Sequence, residues 1–333
     1  MQDKSSNFIN AVILLGEDNY ADRMISVVRP ILEANRKSGY FNSYDDTKIF
    51  YEYYINPQEK AAVVISHGFC EFTAKYEEVA YHFFRAGYSV FLFDYRGHGY
   101  SKRMVEDKSK VHVDSYDEYV LDLQNYITKI VTKNCLHKKL VLYAHSMGGA
   151  IGALFLEQFP EIFNCAILSS PMLEMDFGKN SEFLVWLVML YAKISGTHGE
   201  YVRGHKGFDG VPIFEKSSCL SKVRYDYIFA KRLQDTNYQT YGGTNAWTLA
   251  SIKAVKKLHK YANRVKTPIL LFQAENDTVV KSGGQNRFYK KSKNTRLVVM
   301  PESKHEIYNA DRETIEVYYN KIFDFLDKYA YKK

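Results

Sequence analysis

Apolar positions along the chain follow two rhythms. Short unbroken runs at residues 61–66, 90–94, 140–144, 165–169, 269–273 and 297–300 have the length and β-branched character of strands covered on both faces, as in parallel sheets. Between them, apolar residues recur at helical spacing. Residues 76–86 form one such stretch, and Ser115-Tyr116-Asp117-Glu118 is a capping box that opens another. This second helix should reach about residue 133, with Tyr119, Leu123, Tyr126, Ile127 and Ile130 inward, and residues 315–329 predict a closing amphipathic helix. Ahead of the first run, residues 40–43 and 48–54 alternate about a turn at 44–47, which predicts an antiparallel hairpin at the first edge of the sheet. Met24, Val27, Val28, Ile31 and Leu32 predict a helix over residues 19–36, outside the sheet and bent at Pro30. The alternation of strand and helix implies an α/β fold, with a mostly parallel central sheet and helices on both faces.

The rhythm stops between Pro171 and Thr267, after the sixth strand. An interval of that size reads as an inserted helical cap rather than a loop. The expected organisation is an N-terminal helical extension over 1–36, a core of 37–171 and 267–333, and a cap over 172–266. Within the cap, residues 181–194 are apolar nearly all round. Phe183, Leu184, Trp186, Leu187, Leu190 and Tyr191 would share one face, with Val185, Val188 and Met189 behind. Such a helix either lines an acyl tunnel and touches lipid, or is wedged between cap and body. Arg203, His205, Lys206, Lys222, Arg224, Lys231 and Arg232 make the rest of the cap basic. Facing the entrance they would favour a phosphate-bearing or bilayer-bound ester; otherwise they form a solvated face.

Composition narrows the partners. The formal charge of +7 over 333 residues is spread along the chain with no dense basic stripe, so nucleic acid is not an expected partner. Cys70, Cys135, Cys165 and Cys219 lack C-x-x-C spacing and read as reduced thiols of a cytoplasmic protein. The apolar run at 8–15 is followed by Glu17 and Asp18, which argues against a signal peptide, and the run at 183–192 is too short to cross a bilayer. The sequence holds no H-E-x-x-H, P-loop or G-x-G-x-x-G, so no metal, nucleotide or other cofactor is expected.

The chemistry centres on residues 139–152. An apolar run breaks at Ala144-His145-Ser146-Met147-Gly148 and resumes as a small-residue helix. A strand, a sharp turn and a helix would lift Ser146 Oγ clear of the backbone as a nucleophile. A serine hydroxyl needs a base, and the base needs a carboxylate. The run at 269–273 leads into Glu275 and Asp277, and the run at 297–300 leads to His305. Asp277 is preferred to Glu275 because Thr278-Val279-Val280 would anchor its turn; Asp311 reads as a helix-start charge. His67, His98 and His145 lie in other strand-end loops and are expected to make fixed loop hydrogen bonds. Two backbone N–H groups are needed for an oxyanion, and Met147 and Phe69 are the candidates, Phe69 from the glycine turn at 66–71.

With these residues in place, the sequence from about residue 40 onward resembles the monoacylglycerol lipase and bacterial lysophospholipase group of α/β-hydrolases, which are serine aminopeptidase-type. The resemblance is carried by Ser66-His67-Gly68-Phe69 with Tyr76-Glu77-Glu78, by Asp94-Tyr95-Arg96-Gly97-His98-Gly99-Tyr100-Ser101, and by Ala144-His145-Ser146-Met147-Gly148-Gly149. It implies an α/β-hydrolase fold with Ser146 as nucleophile, Asp277 as orienting acid, His305 as base, and Phe69 with Met147 as oxyanion donors. The Asp94–Ser101 loop would shape the floor of the site. Ala144 departs from the group's usual first glycine, while Cys70 and Phe72 stand where glycine and histidine are frequent. The expected activity is hydrolysis of single-chain lipid esters, lysophospholipid or monoacylglycerol, with peripheral membrane contact through the cap. Competing expectations are a short-chain carboxylesterase or peptidase of the same fold, and a non-catalytic lipid-binding scaffold.

Overall fold

The apolar runs pair into one eight-stranded sheet in the computed structural model, which describes residues 14–330; most of the run at 8–15 lies outside the described residues. The strands are β1 (Arg36–Asn42), β2 (Lys48–Tyr54), β3 (Ala62–Ser66), β4 (Ser89–Phe93), β5 (Leu140–His145), β6 (Cys165–Ser169), β7 (Ile269–Ala274) and β8 (Thr295–Met300). Their order is β1-β2-β4-β3-β5-β6-β7-β8. From β4 onward all neighbours are parallel, and β2 runs antiparallel to both β1 and β4. Among the described residues, eight helices reach nine residues or more: α1 (Glu77–Arg85), α2 (Tyr116–Tyr126), α3 (Met147–Gln158), α4 (Glu182–Ile194), α5 (Lys222–Gln234), α6 (Asn245–Tyr261), α7 (Ser282–Lys291) and α8 (Arg312–Tyr329). Shorter turns lie between them.

The unbroken apolar runs are explained by two cores. Along β5, Leu140, Leu142 and Ala144 pack with α2, α3 and α6 on one side. Val141 and Tyr143 pack with α1, α8 and the N-terminal helical stretch on the other. Successive strand residues point to opposite faces, so a strand buried on both sides keeps no polar beat. This is the α/β-hydrolase fold.

Two boundaries moved. β1 starts at Arg36, earlier than residue 40, because its first three residues are exposed and carry no apolar alternation; only Phe41 along it is buried. The N-terminal stretch comprises Tyr20–Arg23, a π-helical turn at Met24–Val28 and Arg29–Glu33, so it ends before residue 36. Pro30 has no N–H for the helical ladder, and the widened turn before it accommodates that loss. The capping box is formed, with Ser115 Oγ accepting from Asp117 N at 3.2 Å and Glu118 Oε1 from Ser115 N at 3.0 Å. Its helix continues through a π-helical turn to Asn134.

Residues 172–266 hold α4, α5 and α6, but α6 lies in the core layer: Trp247, Ala250, Ala254, Val255 and Leu258 share the core with α3. α4 leans on α6. Its buried residues are Met189 and Ala192, with Val185 half-buried beside them, so the seam is rotated from the division expected from sequence. Phe183, Leu184, Leu187, Val188, Tyr191 and Ile194 are 41–78% exposed, which rules out a helix wedged on both sides. The basic set of the insertion divides: Arg203, His205, Lys206 and Lys222 are exposed, whereas the other three reach back to the body. Arg224 pairs with Glu78 and Lys231 with Glu77, while Arg232 Nη2 donates to Cys70 O at 2.8 Å.

Candidate active site

All the parallel strands end at one edge of the sheet, and the register aligns those ends: Ser66 lies opposite Ala144, and His145 opposite Ser169. Chain reversals at such an edge expose side chains to a common crevice. The tightest reversal is at Ser146, whose φ of 52° and ψ of −118° lie outside the regions comfortable for a side-chain-bearing residue. Ser146 N donates to Ser169 O at 3.1 Å, and Ser146 O accepts from Met172 N at 2.8 Å and Ala150 N at 3.2 Å, so neighbouring structure holds the turn. Glycine is required just beyond it. A Cβ on Gly148 would sit 2.2 Å from Ser66 O, and one on Gly149 would sit 2.5 Å from Pro171 Cβ.

The structure brings the three side chains expected from sequence into one line. His305 Nε2 lies 2.8 Å from Ser146 Oγ, and His305 Nδ1 lies 2.7 Å from Asp277 Oδ2. Since an ionised carboxylate only accepts, Nδ1 carries the proton and Nε2 is left to accept from the serine hydroxyl. Asp277 Oδ1 also accepts from Val279 N at 2.8 Å and Val280 N at 3.0 Å. Burial alone would raise its pKa, but the bonds from His305, Val280 and Val279 outweigh it and hold the carboxyl below its ordinary value. Glu275 does a different job, accepting from Glu302 N at 2.9 Å across the neighbouring turn. Asp311 caps α8 by accepting from Thr314 N.

Met147 opens α3, so its N–H has no acceptor within the helix. The loop carrying Phe69 is pinned on either side of that residue. Gly68 N donates to Glu71 Oε2 at 2.5 Å, and His67 Nδ1 donates to Gly68 O at 2.8 Å. His67 Nε2 in turn accepts from Tyr95 N at 3.0 Å, so both ring nitrogens are used, and burial pushes its pKa down to about 4. His145, pushed down to about 4 by burial, donates from Nδ1 to Ser169 O at 3.0 Å. His98 donates from Nδ1 to Arg96 O at 3.2 Å. These histidines hold loops. Cys70 adopts φ of 57°, a conformation that favours glycine, while Phe72 stacks on Tyr238 with centroids 4.1 Å apart. The Asp94–Ser101 loop is a buried knot: Arg96, wholly buried, donates to Asp122 twice at 2.7 Å and to Glu118 at 2.6 Å.

Sequence reasoning missed the polar network beneath the site. Glu71 accepts from Lys75 Nζ at 2.6 Å, Tyr76 OH at 2.5 Å and Tyr308 OH at 3.0 Å, besides Gly68 N. Lys75 also reaches Glu306 at 2.8 Å, next to His305. Burial would raise the Glu71 pKa, but Lys75 and the other donors drive it far below the ordinary carboxylate range. One buried carboxylate thus ties the Phe69 loop to the segment carrying His305. The i, i+4 spacing of Glu71 and Lys75 was its only local signal.

The sequence pattern of the family described as "Serine aminopeptidase, S33" matches residues 57–312. The chain belongs to this family. As a serine aminopeptidase S33 family member it is 28% identical over 272 residues to the probable lysophospholipase L2 of Haemophilus influenzae, covering 80% of this chain and 85% of that one. It is 30% identical over 254 residues to the lysophospholipase L2 of Escherichia coli K12, covering 76% and 74%. A soluble variant of the monoglyceride lipase of Saccharomyces cerevisiae, solved with a substrate analog, shares the family member's fold at a TM-score of 0.67, with 21% identity over 88% of this chain and 96% of that one.

Proposed function

We propose that this protein is a serine hydrolase cleaving carboxylic esters of single-chain lipids, lysophospholipid or monoacylglycerol, through an acyl-enzyme on Ser146. The observation that carries the reading is the continuous Asp277–His305–Ser146 chain of hydrogen bonds at 2.7 and 2.8 Å. Ser146 Oγ attacks the ester carbon and passes its proton to His305 Nε2, and Asp277 stabilises the imidazolium. The N–H groups of Met147 and Phe69 receive the oxyanion. His305 then hands the proton to the departing alcohol, and water clears the acyl group with the same base. The relatives named as lysophospholipases support the lipid substrate.

The insertion acts as a cap whose exposed α4 ridge rests on the membrane surface from which single-chain lipids are drawn. Its apolar exposure supports this, and among the described residues no helix is long and apolar enough to cross a bilayer. We place the protein at the cytoplasmic face, where thiols stay reduced; its four cysteines are all free.

A fluorophosphonate probe tests the chemistry. Wild type should label, Ser146→Ala should not, and turnover of a lipid ester should fall by roughly 10⁴–10⁶. An unlabelled wild type that still binds lipid would leave a scaffold. Hydrolysis of p-nitrophenyl esters of rising length, beside lysophosphatidylcholine and monoacylglycerol, tests the substrate. Acetyl preferred to long acyl, or cleavage of aminoacyl amides instead, would overturn the lipid assignment.

A further inference from the structure

Away from the Ser146 site, His112, Asp114 and His198 converge. Each offers a nitrogen or oxygen, and the three atoms lie within 4.8 Å of one another. We propose that these residues form a binding site for a zinc-type divalent cation, which fastens the segment after α4 to the core. The ligands come from separate parts of the fold. His112 and Asp114 lie between the two-residue strand Lys110–Val111 and the cap of α2, whereas His198 follows α4 in the insertion.

Several features suit metal rather than an incidental cluster. His112 Nδ1 lies 3.1 Å from Thr244 Oγ1, and as a donor there it leaves Nε2 as the lone-pair nitrogen; Nε2 is 3.9 Å from Asp114 Oδ1. A ring nitrogen fixed by an outer hydrogen bond is the usual arrangement behind a metal-binding imidazole. His198 Nδ1 is buried and has no hydrogen-bond partner among the described residues, which a buried polar atom rarely tolerates. Both histidines are positioned by the start of α6: Thr244 caps that helix, and His198 O accepts from Ala246 N at 2.9 Å.

Zinc takes nitrogen and carboxylate oxygen at about 2.0–2.2 Å, which sets two tetrahedral ligands roughly 3.3 Å apart. The open triangle must therefore contract. Asp114, 70% exposed, can swing to do so. Imidazole favours zinc, copper and nickel over magnesium or calcium. The positive end of α6 opposes a cation, so the carboxylate is needed beside two neutral rings. The sequence showed no such site because His198 lies far along the chain from His112 and Asp114.

The test is calorimetric titration of chelator-treated, full-length protein with zinc chloride. Wild type should show one saturable site, with a melting temperature raised by zinc and no competition from magnesium. Affinity should fall at least tenfold in His198→Asn, a loop substitution whose folding circular dichroism checks, and likewise in Asp114→Asn. His205→Asn, a nearby histidine outside the cluster, should bind zinc as wild type does. Absence of saturable binding, equal affinity in wild type and His198→Asn, or loss only in His205→Asn would overturn the assignment.

Discussion

Glu157 on α3 is buried, 8% exposed, with Oε1 unpaired among the described residues. Burial pushes its carboxyl from 4.5 up to about 8, with Lys257 and Arg264 pulling weakly back. The folded state therefore holds this proton more tightly than the unfolded chain. Stability from this residue is full below about 4.5, falls as pH rises towards about 8, and is level above that. Urea unfolding at pH 5 and pH 9 should show Glu157→Gln losing less stability between the two than wild type does; equal losses would refute the shift. The residue scale is also where sequence reading was most and least successful. The convergence of Ser146, Asp277 and His305 was legible because each follows an apolar run whose end must lie at one sheet edge. Glu71 was not, since its partners Tyr308 and Gly68 are distant from it in chain order or offer only backbone. A polar contact made in three dimensions leaves no period to read.

Among the elements, α4 has the least ordinary surface. A helix apolar all round in sequence announces burial, yet only Met189 and Ala192 are buried, and its outward ridge meets solvent. Hydropathy alone could not say which side faced α6. If the ridge seats in lipid, Leu187→Glu with Val188→Glu removes apolar burial worth about 1.5–3 kcal/mol per side chain. Partitioning onto phosphatidylcholine vesicles should then fall at least tenfold, since a tenfold change is about 1.4 kcal/mol. Hydrolysis of a dissolved short ester and the unfolding midpoint should barely change, surface substitutions costing about 0.5 kcal/mol or less. Unchanged sedimentation with vesicles would remove α4 as the docking surface. The strands tell the converse story: interior runs were readable to within a residue or two, whereas edge strand β1 was not, being exposed over its first residues.

For the molecule as a whole, Arg224 is the joint. Its guanidinium has no exposed surface and donates to Glu78 at 2.7 and 2.9 Å, to Leu15 O at 3.0 Å and to Ala310 O at 3.3 Å. The insertion, α1, the N-terminal segment and the approach to α8 meet there. Arg224→Met should cost about 3–5 kcal/mol in denaturant unfolding by stranding Glu78 without its partner. Arg224→Met with Glu78→Leu should recover much of that. A single-variant loss under about 1 kcal/mol would show the joint is not what couples the parts. The α/β architecture and the inserted stretch could be read from the rhythm of the chain, but Arg224 and Lys231 of the insertion could not be placed, because their acids sit on α1. The left-handed backbone at Ser146 has a further consequence at this scale. A residue held in such a conformation costs of order 1–3 kcal/mol, so reactivity and robustness are in competition at one position. Relaxing that turn would give a hardier protein with its chemistry gone.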